Sequence, residues 1–113
     1  MDRIDKILNH DLFLYHLGKN NAAEADRRFC RHGMVHFLDV ARIGTIIALE
    51  EGLELDREWI YAAALLHDCG KHEQYENGTP HEQASARIAP EILKDCGFDD
   101  KETDAVSYTH LTL

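Results

Sequence analysis

The segment "AAALLHDCGK", residues 62–71, places two adjacent titratable groups, His67 and Asp68, directly after an apolar run. Burying an unpaired carboxylate costs roughly several kcal/mol unless a cation or hydrogen-bond donors compensate for its charge. A divalent metal ion would compensate it, provided that the ion lies at the helix end, because consecutive helical side chains point about 100° apart. The dipeptide alone favours equally a second interpretation, in which Asp68 caps the turn and His67 is a hydrogen-bonded core residue.

Three more histidines lie in patterns that could hold a metal or contact a substrate. His32 and His36 are spaced i, i+4 and would share a helix face if a helix ran through Gly33. This spacing is a weak signal, and the alternative is one surface histidine and one core histidine. His81 follows Pro80 and precedes small residues, which permits a third ligand or a substrate contact, although an exposed first-turn histidine fits the spacing better. Three other histidines have no comparable context and are predicted to be solvated or incidental: His10, His16 and His72.

Composition limits the function classes. The chain has 113 residues, which indicates one domain, and a formal net charge of −9. So acidic a protein repels phosphate backbones, which disfavours coating of nucleic acid, yet a bound metal could reverse the local sign for a small phosphorylated substrate. No apolar run reaches the ~20 residues of a membrane span, and no apolar signal core follows Met1, so we predict a cytoplasmic protein. The widely spaced cysteines form no CxxC pair and are predicted to be reduced thiols: Cys30, Cys69 and Cys96.

Helical periodicity runs through most of the sequence and predicts one all-α domain, a bundle of five or six helices. Gly18 is expected to end the first amphipathic stretch, and Asn21 to begin a second helix. The helix that Asp56 would cap is apolar nearly all round, so we expect it to be central. The segment from Met34 to about Glu51 carries a stripe on one face: His36, Val40, Ile43 and Ile47.

The second half of the chain contains clear helix boundaries. Asn77-Gly78 is a turn signal within a polar segment. Pro90 lies inside the next helical pattern and is predicted to kink or split it. Asp99 or Asp100 is predicted to open a last helix.

Three motifs together resemble the HD-domain superfamily of metal-dependent phosphohydrolases, over roughly residues 28–93. They are "HFLDVAR" with His36, "ALLHDCGK" with His67 and Asp68, and "HEQASARIAPEIL" with His81. The resemblance implies that His36, His67 and Asp68 ligate a metal. It implies that His81 belongs to a second-metal or phosphate-contact group, and that Lys71 lies near phosphate. An equally weighted alternative makes Lys71 a cation favoured by the dipole at a helix C-terminus.

The resemblance implies hydrolysis of a nucleotide or other small phosphorylated substrate by a metal-activated water, with one or two ions of Fe, Mn, Co, Ni or Zn. Asp68 would also orient the water, and Lys71 would offset phosphate charge. One alternative is a non-catalytic regulatory module that binds metal or nucleotide, and another is a helical bundle without metal. Glu24, Arg27 and Arg28 either line the mouth of the site or, as we expect, form a solvated face.

The C-terminal end departs from the family pattern, which usually adds a later histidine and a final aspartate. We predict that residues 1–105 are an HD domain that is incomplete at its C-terminus. The alternating tail "VSYTHLTL", residues 106–113, resembles a translated adapter of DNA sequencing libraries, and we predict that it is non-native. In the alternative it is a native final turn, with His110 as the later histidine. An incomplete domain would have poor activity and would expose apolar surface that favours aggregation or a homodimer.

Overall fold

The computed structural model describes the backbone of residues 1–27 and 31–112 and the side chains of residues 1–27 and 31–107. The described backbone is all-helical, which confirms the predicted class. It contains seven helices rather than five or six, because the first amphipathic stretch is divided near Asn9 and a short helix forms after Gly70. The helices are α1 (Asp2–Leu8), α2 (Asp11–Ala23), α3 (Met34–Glu50), α4 (Arg57–Leu66), α5 (Lys71–Asn77), α6 (His81–Asp95) and α7 (Asp100–Thr112).

The break between α1 and α2 lies at His10, which caps α2. Its backbone is extended, and its ring nitrogen Nδ1 accepts a hydrogen bond from the backbone N–H of Leu12 at 3.1 Å. The predicted break at Gly18 is wrong, and so is the predicted start at Asn21, since α2 runs through both. A glycine costs a helix only about 1 kcal/mol, which the packing of neighbouring buried residues outweighs.

Gly18 lies inside α2 with open space beside its Cα atom. A Cβ built at this position meets no atom within 4 Å, and the residue is in the interior of α2. Gly18→Ala should therefore raise the free energy of unfolding by about 0.5–1 kcal/mol, because alanine loses less backbone entropy on folding. Urea denaturation should show a higher midpoint with an unchanged m-value. A lower midpoint would contradict the described environment of Gly18.

Helix α4 is the centre of the domain, as its sequence predicts. Asp56 caps it, with Oδ1 accepting the backbone N–H of Glu58 at 2.8 Å. Residues 62–66 of α4 are fully buried, and α4 packs against α1, α3, α6 and α7. Its C-terminal end is therefore held from several sides, which gives rigid support to the His67-Asp68 pair that follows.

Helix α3 packs on α4 through a different face from the predicted stripe. Ile43 is 57% exposed and Ile47 47%, so the larger apolar side chains of this stripe do not form the core face of α3. Small side chains let the helices approach closely, to the point that a Cβ on Gly44 would lie 3.3 Å from Ile60 Cγ2. Periodicity alone does not distinguish two adjacent apolar stripes. The buried residues of α3 are Phe37, Ala41 and Ala48. A homodimer through exposed apolar surface stays a prediction.

The turn at Asn77-Gly78 is confirmed, with Gly78 ending α5 at a φ of 79°. Helix α6 continues through Pro90 without splitting. The predicted start of the last helix is also confirmed, because Asp99 Oδ1 accepts the backbone N–H of Glu102 at 2.8 Å. None of the helices in the described residues is long and apolar enough to cross a membrane.

Helix α7 extends into the C-terminal segment 106–113 and reaches Thr112. The polar–apolar alternation therefore does not end the helix at residue 106, and Val106 is 1% exposed. The division at residues 105 and 106, and the non-native origin of the tail, stay predictions. The side chain of His110 lies outside the described residues.

Candidate metal centre

The turn between α4 and α5 carries the His67-Asp68 pair and lies directly against α6. Gly70 makes this approach possible, since a Cβ there would lie 2.7 Å from both Ala84 Cβ and the backbone nitrogen of Ser85. The backbone N–H of Gly70 donates to Ser85 Oγ at 2.9 Å. The small residues of α6 thus fix the turn and bring its carboxylate near the start of α6.

The carboxylate of Asp68 is the common neighbour of four imidazoles. Its Oδ2 lies 3.0 Å from His67 Nε2, 3.3 Å from His36 Nε2 and 3.9 Å from His32 Nε2. Its Oδ1 lies 3.6 Å from His81 Nε2. The structure thus brings together the four residues predicted to bind metal, and it adds His32.

The donor atoms fit a divalent cation. Ligand atoms bound to one ion at about 2.1 Å, with angles of 90–109°, lie about 3.0–3.4 Å apart. The distances from Asp68 Oδ2 to His67 and His36 are in this range. Ligand atoms of His32, His36 and Asp68 all lie within 4.8 Å of one another. Imidazole nitrogen with carboxylate oxygen suits Zn, Fe, Mn, Co and Ni.

Local charges keep Asp68 ionised. Burial alone would raise its pKa, but the hydrogen bond and charge of His67, together with the charges of His32 and His81, lower it well below its ordinary value. Burial alone would likewise lower the pKa of His67, yet the hydrogen bond and charge of Asp68, helped by the carbonyl of Ala64, raise it. His67 Nδ1 lies 2.6 Å from that carbonyl, which leaves Nε2 facing Asp68.

Glu24 is buried in the site, so the prediction of a solvated Glu24 is wrong. It is 1% exposed, and its Oε1 accepts the backbone N–H of His32 at 2.6 Å. Its Oε2 lies 2.5 Å from His32 Nδ1 and accepts the hydroxyl of Tyr75 at 2.7 Å. Burial would raise the pKa of Glu24, but the bonds from Tyr75 and His32 lower it. Arg28 lies outside the described residues.

His32 reaches the centre without being helical. Helix α3 begins at Met34 with Gly33 as its N-cap, so the condition for a shared helix face is not met. The rings of His32 and His36 nevertheless pack edge to face, with centroids 5.2 Å apart. The i, i+4 spacing to His36 was the sequence feature that indicated His32 as a candidate ligand. The spacing does not reveal that Glu24 holds His32 in place through its backbone N–H and its ring nitrogen Nδ1.

Asn20 links three segments of the site. Its Nδ2 donates to the backbone carbonyls of Asp68, at 2.9 Å, and of His32, at 3.1 Å. Its Oδ1 accepts the backbone N–H of His72 at 2.9 Å. Asn20 is fully buried, and with His16 and Glu24 it forms a polar stripe with one residue per helical turn, which the sequence shows only as i, i+4, i+8 spacing.

Two histidines predicted to be solvated are buried beneath the site. His16 Nδ1 lies 2.8 Å from His72 Nε2, and the two rings stack with centroids 5.0 Å apart. His16 is 9% exposed and His72 3%. His10 is likewise not merely solvated, because its Nε2 lies 2.8 Å from Asp95 Oδ2.

Because His16 is buried against His72, we expect the stability of the protein to depend on pH. Burial, and then the neighbouring ring of His72, lower the pKa of His16 below its ordinary value of 6.5, with a further lowering by Arg87 and opposing effects of Glu73 and Glu76. The unfolded chain then binds more protons at His16, so the contribution to stability is present above about pH 6.5 and is lost as the pH falls.

His16→Gln should flatten the loss of unfolding free energy between about pH 6.5 and 5. The raised pKa of His67 contributes with the opposite sign, but it is common to both proteins and cancels in the comparison. Urea denaturation at several pH values measures both slopes. Equal slopes in the two proteins would contradict the assignment to His16.

Lys71 opens α5, and its Nζ lies 5.8 Å from the ring centre of Tyr75. A cation at the N-terminal end of a helix is disfavoured by the helix dipole, so the structure gives no support to the alternative of a favourable C-terminal cation. The phosphate-contact role of Lys71 stays a prediction.

Of the cysteines, Cys69 and Cys96 are free and buried, and burial raises the pKa of the Cys69 thiol to about 12.

Comparison with known proteins decides the family. The HD domain model matches residues 33–111, well over half of the chain. This chain belongs to the HD domain family. An uncharacterized protein of Clostridium beijerinckii is 49% identical over 106 residues, covering 94% of this chain and 68% of the relative. No solved structure matches significantly. HD domain proteins are generally hydrolases, and the family implies a divalent metal. His32, Asn20 and Glu24 precede the matched region.

Proposed function

We propose that this HD domain protein is a metal-dependent phosphohydrolase that acts on a nucleotide or another small phosphorylated substrate. The observation that supports the proposal is the arrangement around Asp68. Imidazoles from α3 and from the end of α4, His36 and His67, direct their Nε2 atoms to one carboxylate oxygen at 3.3 and 3.0 Å. Such a buried carboxylate beside several nitrogen donors is an arrangement that suits metal-assisted hydrolysis.

The residues that would hold the ion are His36, His67 and Asp68, because both Nε2 atoms lie within 3.3 Å of Asp68 Oδ2. His32 would be a further donor, since it has a ligand atom within 4.8 Å of those of His36 and Asp68. His81 lies beside the second oxygen of Asp68. A bound divalent ion supplies Lewis acidity toward a phosphoryl oxygen and lowers the pKa of a water molecule. Asp68 Oδ1 faces His81, whose side chain is 36% exposed, so a substrate can reach this side of the carboxylate.

The other side chains would bind and orient the substrate. His81 Nδ1 lies 2.8 Å from Gln74 Oε1, which fixes the ring and leaves Nε2 on the side of Asp68. We propose that His81 contacts the phosphate or a second ion. Lys71 would attract the phosphate electrostatically, a contribution that matters because the whole chain carries a net charge of −9.

The test is hydrolysis by the purified protein after reconstitution with Fe, Mn, Co, Ni or Zn. A panel of nucleotides and phosphomonoesters should reveal metal-dependent release of phosphate, and His67→Ala should abolish it. Asp39→Asn, a substitution at a half-exposed surface carboxylate that pairs with Arg42, is the matched control and should keep the activity.

Three results would reject the proposal. Activity that survives His67→Ala would show that the reaction occurs elsewhere. Metal binding without hydrolysis of any compound in the panel would favour the non-catalytic regulatory module. Absence of metal after reconstitution, measured by elemental analysis, would favour a helical bundle without metal.

A further inference from the structure

Glu24 occupies a position that is unfavourable for a carboxylate. It is 1% exposed, and it is the C-cap residue of α2, where the helix dipole disfavours negative charge. Burial of a charge is tolerated only when its hydrogen-bonding capacity is met. Both oxygens of Glu24 have hydrogen-bond partners, and His32 supplies two of the three hydrogen bonds while Tyr75 supplies the third. Arg27 adds an ion pair, with its Nη1 3.8 Å from Glu24 Oε2.

His32 lies between two carboxylates. Its Nδ1 is 2.5 Å from Glu24 Oε2, and its Nε2, at the other edge of the ring, is 3.9 Å from Asp68 Oδ2. A carboxylate that accepts the N–H of one ring nitrogen fixes the tautomer and leaves the other nitrogen available to a metal. The backbone bond from His32 to Glu24 also fixes where the ring is placed.

We propose that Glu24 is a positioning residue that holds His32 with Nε2 directed to the metal centre, so that the segment before α3 adds a ligand that is fixed from the end of α2. This inference rests on the proposed function for the presence of the metal. It involves residues that precede the region matched by the HD domain, which begins at residue 33. Tyr75 completes the arrangement, since its hydroxyl donates to the same oxygen of Glu24 and so holds the carboxylate from α5.

The first test measures the affinity for Co²⁺ by competition with a chelator. Glu24→Gln should weaken it by about 10–100-fold, the range found when the partner of a ligating histidine is lost. Asp39→Asn removes the same charge from the surface and should change the affinity less than about threefold. In the His32→Ala background, Glu24→Gln should have no further effect, because Glu24 acts through His32.

The second test needs no variant and no metal. At about pH 8.5, where imidazoles are ordinarily neutral, the ¹⁵N chemical shifts of His32 report which nitrogen carries the proton. The inference predicts a protonated Nδ1 and an unprotonated Nε2 in the metal-free protein. A protonated Nε2 would overturn it even if Glu24→Gln should fail to fold.

The possible results distinguish a failure of the positioning role of Glu24 from a failure of the proposed metal-dependent function. Unchanged Co²⁺ affinity in Glu24→Gln, or a loss that adds fully to that of His32→Ala, would overturn the positioning role and leave the proposed function standing. If the unsubstituted protein binds no Co²⁺, the proposed function fails, and the tautomer of His32 alone decides whether Glu24 positions the ring.

Discussion

Asp68→Asn should remove metal binding and metal-dependent hydrolysis together. Asp68 is the one carboxylate that all four imidazoles of the described site approach, at 3.0–3.9 Å. The amide keeps the shape of the side chain but loses the charge that would hold a divalent ion. We expect the affinity for Co²⁺ and the value of kcat/KM to fall by more than about 100-fold, the upper limit for residues that only support a ligand.

Asp39→Asn is again the matched control. It also removes one negative charge, but Asp39 lies on the surface of α3, where it pairs with Arg42. Chelator competition and initial-rate measurements at saturating metal give the two quantities. Thermal unfolding of the metal-free variant should show that it is folded. Near-normal affinity in folded Asp68→Asn would mean that the carboxylate serves only to pair the surrounding histidines.

Gly70→Ala should destabilise the protein strongly. The new Cβ would lie 2.7 Å from the backbone nitrogen of Ser85 and 2.8 Å from the carbonyl carbon of Ala84, and backbone atoms of a packed helix cannot turn aside. The strain comes from this contact, since the φ of Gly70 is −95° and suits any residue. We expect a loss of about 2–4 kcal/mol in the free energy of unfolding.

Gly18→Ala is the control for Gly70→Ala, because the same chemical change occurs where the Cβ meets no atom. The two variants should shift the urea midpoint in opposite directions. Gly70→Ala should also weaken Co²⁺ binding, since the turn that carries Asp68 must move away from α6. A Gly70→Ala protein as stable as the unsubstituted one would contradict the described packing of this turn.

The sequence was sufficient to predict the parts of the fold that depend on local signals. The cap at Asp56, the apolar helix after it and the start of α7 each follow from residues near one another in the chain. The convergence of His36, His67, Asp68 and His81 was suggested by three motifs whose combination resembles a known family. The sequence alone contains no distance between them, and those distances come from the packing of α3, α4 and α6.

The contribution of α2 could not be predicted, for a physical reason. Polar residues along one face of a helix ordinarily indicate solvent, yet Asn20 and Glu24 are buried because backbone groups and His32 from distant segments meet their hydrogen-bonding capacity. Similarly, the larger apolar side chain of Ile43 in α3 would be expected in the core, yet Ile43 is exposed and the smaller Ala41 is buried. Which stripe is covered depends on how closely α4 approaches.

The most direct test of the account is the position of the metal itself. A crystal grown with Mn²⁺ or Zn²⁺ should give an anomalous scattering peak at full occupancy, measured at the absorption edge of the metal. We predict the peak within about 2.0–2.3 Å of an oxygen of Asp68 and of the Nε2 atoms of His36 and His67. An ion bound elsewhere, or an empty site at saturating metal with these three side chains in place, would contradict a metal centre built around Asp68.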